Sequence, residues 1–320
     1  IESPLSYQAG LQYRTLSIKD SVAETTENQV RFSAAVQVPL RDIPLRARFE
    51  ARLGTVTALS ARNISLIEIA LESSRYFLDD FFASASIHGY TAKGMEGQSI
   101  GRLYPQVSLG YHIAAHHTAV MSYQPRVEYS SLREQVDLNP YLSTLAVLRH
   151  PDAGTDLSGT LESQWIEPLA TKMTLRYQSI GDYPLYADSS GKGMWTLAYA
   201  GRTKVLSFEI EAVANLTPND YFAGALVFTD ARNSMIAGRV PSIPIVQGSA
   251  LYRLTLPAGI VVSPRMGYVN ERRLHVEGNH KVAGYFFTGL TLEYQGLTRW
   301  TLFGDVKNLL DKRYEVWGGY

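Results

Sequence analysis

The sequence predicts an all-β fold, a transmembrane antiparallel up-and-down β-barrel of the outer-membrane type with about fifteen strands. Three observations predict it. Apolar and polar residues alternate along most of the 320 residues, turn residues separate the alternating segments, and short and long connections follow each other along the chain. Alternation places one face of each strand against oil and the other against water. We therefore expect lipid outside the sheet and a wet lumen inside it.

The clearest alternating segment runs from Leu45 to Leu53, where every odd position is apolar and every even position is charged. Successive side chains of a strand point to opposite faces, so one face of this strand is apolar and the other carries four charges. A second face with that much charge needs water. This segment therefore favours a barrel wall over a sheet buried on both faces.

The same period of two residues occurs in seven further segments, and we predict each of them as a strand. They are 5–13, 30–38, 67–72, 81–87, 103–113, 206–212 and 286–294. A helix would repeat its apolar residues at intervals of three and four positions, and no long segment does so.

The connections between these segments fall into two classes. Short connections contain Pro, Gly, Asn or Asp, and lie at 40–44, 167–170, 216–220, 257–259 and 295–298. Longer, polar connections lie at 19–27, 92–102, 128–154, 187–193, 232–243 and 272–282. Tight periplasmic turns and longer extracellular loops are typical of outer-membrane barrels. The chain shows no linker or shift in composition, so we expect residues 1–320 to form one barrel domain.

Composition excludes several other classes of protein. The 30 basic and 30 acidic residues balance, and no basic run indicates a nucleic-acid partner. The chain has no cysteine, which excludes disulfides and thiolate metal sites. No run of about 18 apolar residues predicts a transmembrane helix. The 20 tyrosines suit the interfacial girdles of a barrel, and they suit a soluble all-β protein equally.

Three passages carry a resemblance to a known family, and their order along the chain also fits that family. The segment Val306–Tyr314 reads Val-Lys-Asn-Leu-Leu-Asp-Lys-Arg-Tyr, which resembles the "N-L-F-D-K-x-Y" stretch of TonB-dependent outer-membrane receptors, with Leu310 in place of Phe. Residues 200–244 resemble the closing half of those barrels. Residues 148–157 are loosely similar to the family's "L-K-P-E-x-S" passage. The resemblance covers 148–320 and is only architectural before that.

The resemblance implies a receptor or transporter that takes up a scarce nutrient, such as a siderophore or another metal chelate, from outside a Gram-negative cell. Its expected partners are the outer-membrane lipid, the small nutrient ligand and a TonB-type energy-coupling protein, which acts on an N-terminal plug domain. No cofactor is expected. Nothing in this chain resembles the plug, and we expect the last barrel strand to be absent too. The fifteen strands then belong to a 22-stranded barrel.

Three alternatives remain open at the level of sequence. The chain could be a plugless, shortened relative that closes a smaller barrel and acts as a passive pore. It could be a structural barrel subunit of a larger cell-envelope assembly. It could also be a soluble β-sandwich, which detergent-free extraction would reveal.

The alternation assigns a first set of candidate residues to the wet face of the wall. We expect these charges to face the lumen as a polar conduit, as contacts to a plug, or as cross-strand ion pairs that stabilise the wall. They are Arg31, Arg46, Arg48, Glu50, Arg52, Glu68, Glu72, Arg176, Glu209, Glu211, Arg253, Arg265 and Glu293. An Arg facing lipid at mid-bilayer would cost roughly 2–4 kcal/mol.

A second set of candidates lies in the longer connections. Arg pairs with carboxylates, and Tyr stacks and hydrogen-bonds, so both suit an anionic or aromatic ligand such as a metal chelate. These candidates are Arg133, Tyr141, Tyr183, Tyr186, Arg232, Arg272, Arg273 and His275. Ordinary loop polarity explains them equally well.

Metal binding and catalysis find no support in the sequence. His116 and His117 are adjacent, so on a strand they point to opposite faces and make poor joint ligands. The chain has no G-x-S-x-G, P-loop or H-E-x-x-H motif. A Ser/His pair in a barrel wall would leave no such motif, but we expect a protein that is not an enzyme and has no metal site.

Overall fold

A computed structural model describes residues 5–21, 23–40, 43–78, 80–188, 193–236, 238–274 and 281–316. Its strands, in chain order, are β1 (Ser6–Lys19), β2 (Glu24–Leu40), β3 (Ile43–Thr57), β4 (Ala61–Leu78), β5 (Phe81–Lys93), β6 (Ser99–Ala114), β7 (His117–Tyr123), β8 (Arg126–Val127), β9 (Asp152–Ile166), β10 (Leu169–Gly181), β11 (Leu185–Ala187), β12 (Thr196–Ala198), β13 (Arg202–Thr217), β14 (Asp220–Asn233), β15 (Val246–Leu256), β16 (Ile260–Val269), β17 (Arg272–Arg273), β18 (Lys281–Val282), β19 (Tyr285–Leu297) and β20 (Trp300–Lys307). Helix α1 spans Leu132–Leu138, and a single 3₁₀ turn spans Pro257–Gly259.

Most of these strands form one continuous antiparallel wall. Among the described residues, fifteen strands follow one another in the order β1 to β7, β9, β10, β13 to β16, β19 and β20. Each pairs with the next strand, while β8 pairs with the end of β9. The short pairs β11–β12 and β17–β18 form two separate sheets that are not part of the wall. The predicted up-and-down architecture and strand number are thus confirmed.

The two ends of the wall differ in their connections. At one end, short turns join β2 to β3, β4 to β5, β6 to β7, β9 to β10, β13 to β14, β15 to β16 and β19 to β20. The opposite end carries the long connections, including 124–151 between β7 and β9 and the segments that hold both short pairs of strands. We call these the short-turn end and the long-loop end.

The two faces of the wall differ as the alternation predicts. On the outer face, Ile69, Leu103 and Met121 are 61%, 66% and 71% exposed, and they lie in a band of apolar side chains. Intervening positions carry Glu68 and Glu72 on β4 and Arg102 on β6. An apolar band with no competing charge fits lipid acyl chains. No helix within the described ranges is both long and apolar enough to cross a membrane.

The long connection between β7 and β9 folds inward, contrary to the polar loop that the sequence predicts at 128–154. We call residues 124–151 the inward segment. Its residues Leu132 and Leu148 are fully buried against the inner face near the long-loop end of β3 to β5, where Val56, Ile64 and Leu66 lie. The burial of these apolar groups stabilises the inward position by roughly 1.5–3 kcal/mol for each large side chain.

Helix α1 is a short helix of seven residues in the inward segment, and it is capped at its N-terminus. The Ser131 hydroxyl accepts a hydrogen bond from the Glu134 amide, and the Glu134 carboxylate accepts one from the Ser131 amide. This capping box satisfies two amides at the start of the helix. The sequence contains this S-x-x-E signal, but seven residues are too few to produce a visible helical period.

Candidate functional site

A polar cavity of about 500 Å³ lies between the inner wall and the inward segment. Its charged lining includes Arg48, Arg52, Arg126, Glu50, Glu68 and Glu128. A second cavity, of about 410 Å³, extends toward the short-turn end, where Pro44 and Arg46 line it. The two cavities share Arg48, His88 and Gln106. Together they form a continuous wet surface along the lumen.

The alternation of β3 positions the predicted charges on this surface. Arg46, Arg48, Glu50 and Arg52 occupy its even positions, so all four lie on the inner face. On the neighbouring strand β4, Glu72 is in register with Arg46 and Glu68 is in register with Glu50. All four charges thus lie on the face of β3 that lines the two cavities, and their contact with a ligand or a plug stays a prediction.

Ion pairs connect the charges diagonally across neighbouring strands or, for Glu50 and Arg52, along β3 itself. Glu50, with a side chain only 8% exposed, lies 2.8 Å from Arg31 and 2.6 Å from Arg52. Arg48 lies 2.8 Å from Glu68 and 3.2 Å from Glu72. Diagonal neighbours on a sheet are within reach of long side chains. Cross-strand pairing therefore accounts for most of the charge on this half of the wall.

His88 and Tyr90 of β5 complete the environment of Glu68, and sequence reasoning missed both. The His88 Nδ1 atom lies 2.7 Å from Glu68 Oε1, and its Nε2 atom lies 2.9 Å from the Ser86 hydroxyl. The Tyr90 hydroxyl donates to the same carboxylate oxygen at 3.3 Å. The available signal was positional, because both residues occupy polar positions in an alternating strand.

A second cluster that the sequence analysis missed centres on Asp156 of β9. Its side chain is only 4% exposed, and it pairs with Arg126 and Arg176. The Arg176 Nε atom donates to Asp156 at 2.8 Å, and the Gln178 amide donates at 3.3 Å. One carboxylate thus joins the wall strand β10 to the start of the inward segment.

The remaining lumen candidates lie on the more open part of the wall. Glu211 pairs with Lys172 at 3.6 Å, and Arg253 pairs with Glu293 at 3.5 Å. Arg265 contacts Asp305 at 2.8 Å. Glu209 lies on the same face of β13 as Glu211, two positions away. These pairs are more exposed than the Glu50 and Asp156 clusters.

Two carboxylates at the long-loop end, those of Glu27 and Asp20, hold the inward segment in place. The Glu27 carboxylate accepts hydrogen bonds from the Leu132 and Arg133 amides, both at 3.1 Å. A carboxylate at the first turn of a helix satisfies free amides and faces the positive end of the helix dipole. The Thr144 amide and hydroxyl both donate to Asp20 at 2.9 Å.

His150 closes the far end of the inward segment and is almost fully buried. Its Nδ1 atom accepts a hydrogen bond from the Ser130 amide at 3.2 Å, and its Nε2 atom faces the Lys93 carbonyl at 3.3 Å. This arrangement needs the neutral ring with its proton on Nε2. Burial lowers the pKa of His150 and so favours that neutral form.

Three of the predicted loop candidates contribute to the packing around the inward segment, and a fourth, Tyr183, packs elsewhere. Arg133 donates to the Thr15 carbonyl at 2.9 Å, and the Tyr186 hydroxyl donates to Gln135 at 2.8 Å. The Tyr141 carbonyl accepts from the Trp195 amide at 3.1 Å. Tyr183 packs against a buried apolar cluster of the outer loops. Burial raises the pKa of Tyr183 and of Tyr186.

The other loop candidates lie farther along the chain. Arg232 donates to Asp230 at 2.9 Å, and Arg272 is 8% exposed with its guanidinium 5.6 Å from the centre of the Tyr285 ring. The Arg273 carbonyl accepts from the Ser242 amide at 2.7 Å. His275 lies outside the described residues. The described candidates do not line one shared cavity, so their contact with a ligand stays a prediction.

The two adjacent histidines lie in different surroundings. His116 lies in the turn between β6 and β7. The centre of the His117 ring lies 5.3 Å from the centre of the Trp165 ring, in an edge-on arrangement. Across the described ranges, no group of three or more His, Asp or Glu side chains is arranged to hold a metal ion.

Comparisons with known proteins identify the fold. No family model and no curated protein matches the sequence. Among solved structures, the copper transporter OprC is 14% identical with a TM-score of 0.71, and the match covers 97% of this chain and 57% of that one. The apoprotein of the FrpB iron transporter from Neisseria meningitidis is 11% identical, with a TM-score of 0.70 and the same coverage.

A third similar structure is a mutant of the ferric enterobactin receptor PfeA from Pseudomonas aeruginosa. It is 12% identical with a TM-score of 0.70, and the match covers 96% of this chain and 54% of that one. The chain thus spans a little over half the length of these proteins. Its fold is that of a TonB-dependent receptor barrel from the outer membrane.

Proposed function

We propose that this chain is the barrel wall of an outer-membrane receptor that takes up a scarce nutrient, such as a siderophore or another metal chelate. The observation that carries the proposal is the polar cavity of about 500 Å³ between a charged inner wall and the inward segment, in a fold shared with metal and siderophore receptors. The protein acts by binding and gated passage and makes or breaks no covalent bond.

Gating in this proposal depends on parts that lie outside the chain. We propose that a plug domain faces the inner wall and that a TonB-type protein pulls on it to release the ligand. Residues 1–320 then form one barrel domain within a 22-stranded barrel. Support comes from β1 and β20, which are the two edges of the described sheet, because a sheet edge inside a membrane needs a partner strand.

Uptake by the full-length protein tests the proposal. The protein is expressed in an outer membrane that lacks other receptors for the same metals, and uptake of radiolabelled ferric chelates and copper is measured. We expect saturable uptake of one class of chelate that stops when the energy-coupling protein is deleted. A Glu68→Gln/Arg48→Gln variant should reduce uptake, while the lipid-facing control Leu103→Ala should not.

Conductance separates this proposal from a passive pore. Reconstituted in a planar bilayer, the full-length receptor should stay closed. A steady open conductance, together with uptake that does not depend on the coupling protein, would contradict the gated receptor and favour the pore or structural barrel.

A further inference from the structure

We infer that the outer face of the wall binds a membrane lipid that carries a phosphate group. The binding surface crosses the wall from β6 to β14, and its basic part lies at the long-loop end of β13 and β14. It combines an apolar groove for an acyl chain with a basic cluster next to that groove. The inference concerns the lipid-facing surface, so it stands or falls independently of nutrient uptake.

The groove has a volume of about 420 Å³ and crosses five neighbouring strands from β6 to β13. Its apolar walls include Leu157, Leu175 and Leu206, each about half exposed. At the middle lies Gly159, where no heavy atom comes within 4 Å of the position that a Cβ would occupy. The missing side chain leaves a depression between bulkier neighbours, and an acyl chain would fill it.

The basic cluster, which we define as Lys204, Arg232 and Arg239, lies on the same outer face. Lys204 stands two positions from Leu206 on β13, and it is in register with Arg232 of β14. Arg239 forms a β-bridge with Arg232, so the two side chains lie on one side of the sheet. All three cations therefore lie beside the end of the groove.

Asp230 holds two of these cations in place. Arg232 Nε and Arg239 Nε donate to its carboxylate at 2.9 and 2.8 Å. Their side chains remain 67% and 44% exposed, so each guanidinium keeps N–H groups that face away from Asp230. Three cations and one carboxylate leave a net charge of +2, and Arg forks match the geometry of phosphate oxygens.

The depth of the basic cluster matches a lipid headgroup. Two residues along a strand span roughly 7 Å, so the cluster lies just beyond the apolar band. Tyr123 and Tyr177 line the groove in the same cross-strand row as Leu206, and Tyr is favoured at the membrane interface. A charged cluster at this depth meets the phosphates of the leaflet on the long-loop side.

The outward position distinguishes a lipid from a soluble anion. The lumen cavities open on the opposite face of the wall, where a nutrient would pass. A free phosphate ion would gain nothing from the apolar groove. A lipid contacts both parts, and each basic residue near a charged membrane surface contributes about 1 kcal/mol.

The experiment uses the purified full-length protein in nanodiscs of neutral lipid doped with a phosphate-bearing lipid. Retained lipid is counted by native mass spectrometry after release, and its affinity is obtained by titration. We expect Lys204→Gln/Arg232→Gln to weaken binding roughly thirtyfold, because two charges are removed. Gly159→Leu should fill the groove and weaken binding independently, while Lys204→Arg should retain it.

Two control variants and a competition with inorganic phosphate show whether the bound phosphate group belongs to a lipid or to a free ion. Gly101→Leu introduces the same side chain at another open glycine, and Lys281→Gln removes an exposed charge elsewhere; neither should change the affinity. Equal lipid binding by the wild type and the double variant would overturn the inference. The inference would also be overturned if inorganic phosphate abolished lipid binding while the Gly159→Leu variant bound the lipid with wild-type affinity.

Discussion

The two halves of the inner wall bear similar charges but hold them in different ways. On β2 to β5 and on β9 the inward segment covers the wall, and the Glu50 and Asp156 side chains are 8% and 4% exposed. On β13 to β19 the wall is more open, and the Glu211 and Glu293 side chains are 43% and 26% exposed. A barrel lumen is therefore not one uniform wet surface, because a folded-in loop converts part of it into a protein core.

This comparison predicts unequal costs for the same kind of mutation. A covered ion pair leaves a stranded charge when one partner is removed, whereas exposed pairs contribute about 0–1 kcal/mol. Three substitutions and one pH dependence test the contrast, in order of decreasing expected effect on stability.

The largest effect is expected for Asp156→Asn. The substitution removes the carboxylate shared by Arg126 and Arg176 and leaves both guanidinium groups close together. We expect a loss of about 3–5 kcal/mol in the free energy of unfolding. Denaturant unfolding of the full-length protein in detergent measures it, and a loss below about 1 kcal/mol would remove the distinction between the two halves.

The next effect is expected for Leu148→Ala, which opens a cavity under the inward segment. Leu148 is fully buried, and truncation of such a side chain costs about 2–5 kcal/mol. The control is Leu206→Ala on the lipid-facing surface, which should cost much less. Limited proteolysis should cut the inward segment faster in Leu148→Ala, and unchanged cleavage would show that the segment is not held by this core.

The sequence predicts the wall well because its signal is local. Residues 45–53 of β3 and 290–295 of β19 alternate strictly, so their faces follow from position alone. The inward segment could not be predicted in this way, since Leu132, Leu142 and Leu148 have no regular spacing and their burial depends on strands about 40 or more residues earlier in the sequence. For the same reason Asp156 and His88 carry no signal beyond their strand positions.

Acidification should loosen the inward segment at His150. The folded-state pKa of His150 lies below its ordinary value of 6.5, so the unfolded segment binds the proton more readily. The stabilisation is complete above about pH 6.5 and decreases as the pH falls through the window down to the lowered folded pKa. Hydrogen exchange of the inward segment, corrected for intrinsic rates, should show increased opening at pH 5.5 relative to pH 7.5.

A matched variant makes that pH effect specific. His150→Gln cannot be protonated in this range, so its exchange should be nearly independent of pH, although faster at pH 7.5. An equal pH response in the variant would assign the effect to other groups.

The smallest effect is expected for Glu211→Gln on the open half of the wall. Its partner Lys172 is 3.6 Å away and 45% exposed, so water replaces the interaction. We expect a change within about 0.5 kcal/mol by the same unfolding measurement. A loss as large as that of Asp156→Asn would show that both halves are equally buried in the full-length protein.

A scan of single spin-labelled cysteines along β6 shows directly whether the wall separates lipid from water. The chain has no native cysteine, so each label reports one position. Gln106 lines both lumen cavities, and its neighbour Val107 lines the lipid-facing groove. We expect accessibility to a water-soluble paramagnetic reagent at 106 and to dissolved oxygen at 107, alternating along the strand. Water accessibility at 107 with protection at 106, or no alternation, would contradict a wall with lipid outside and water inside.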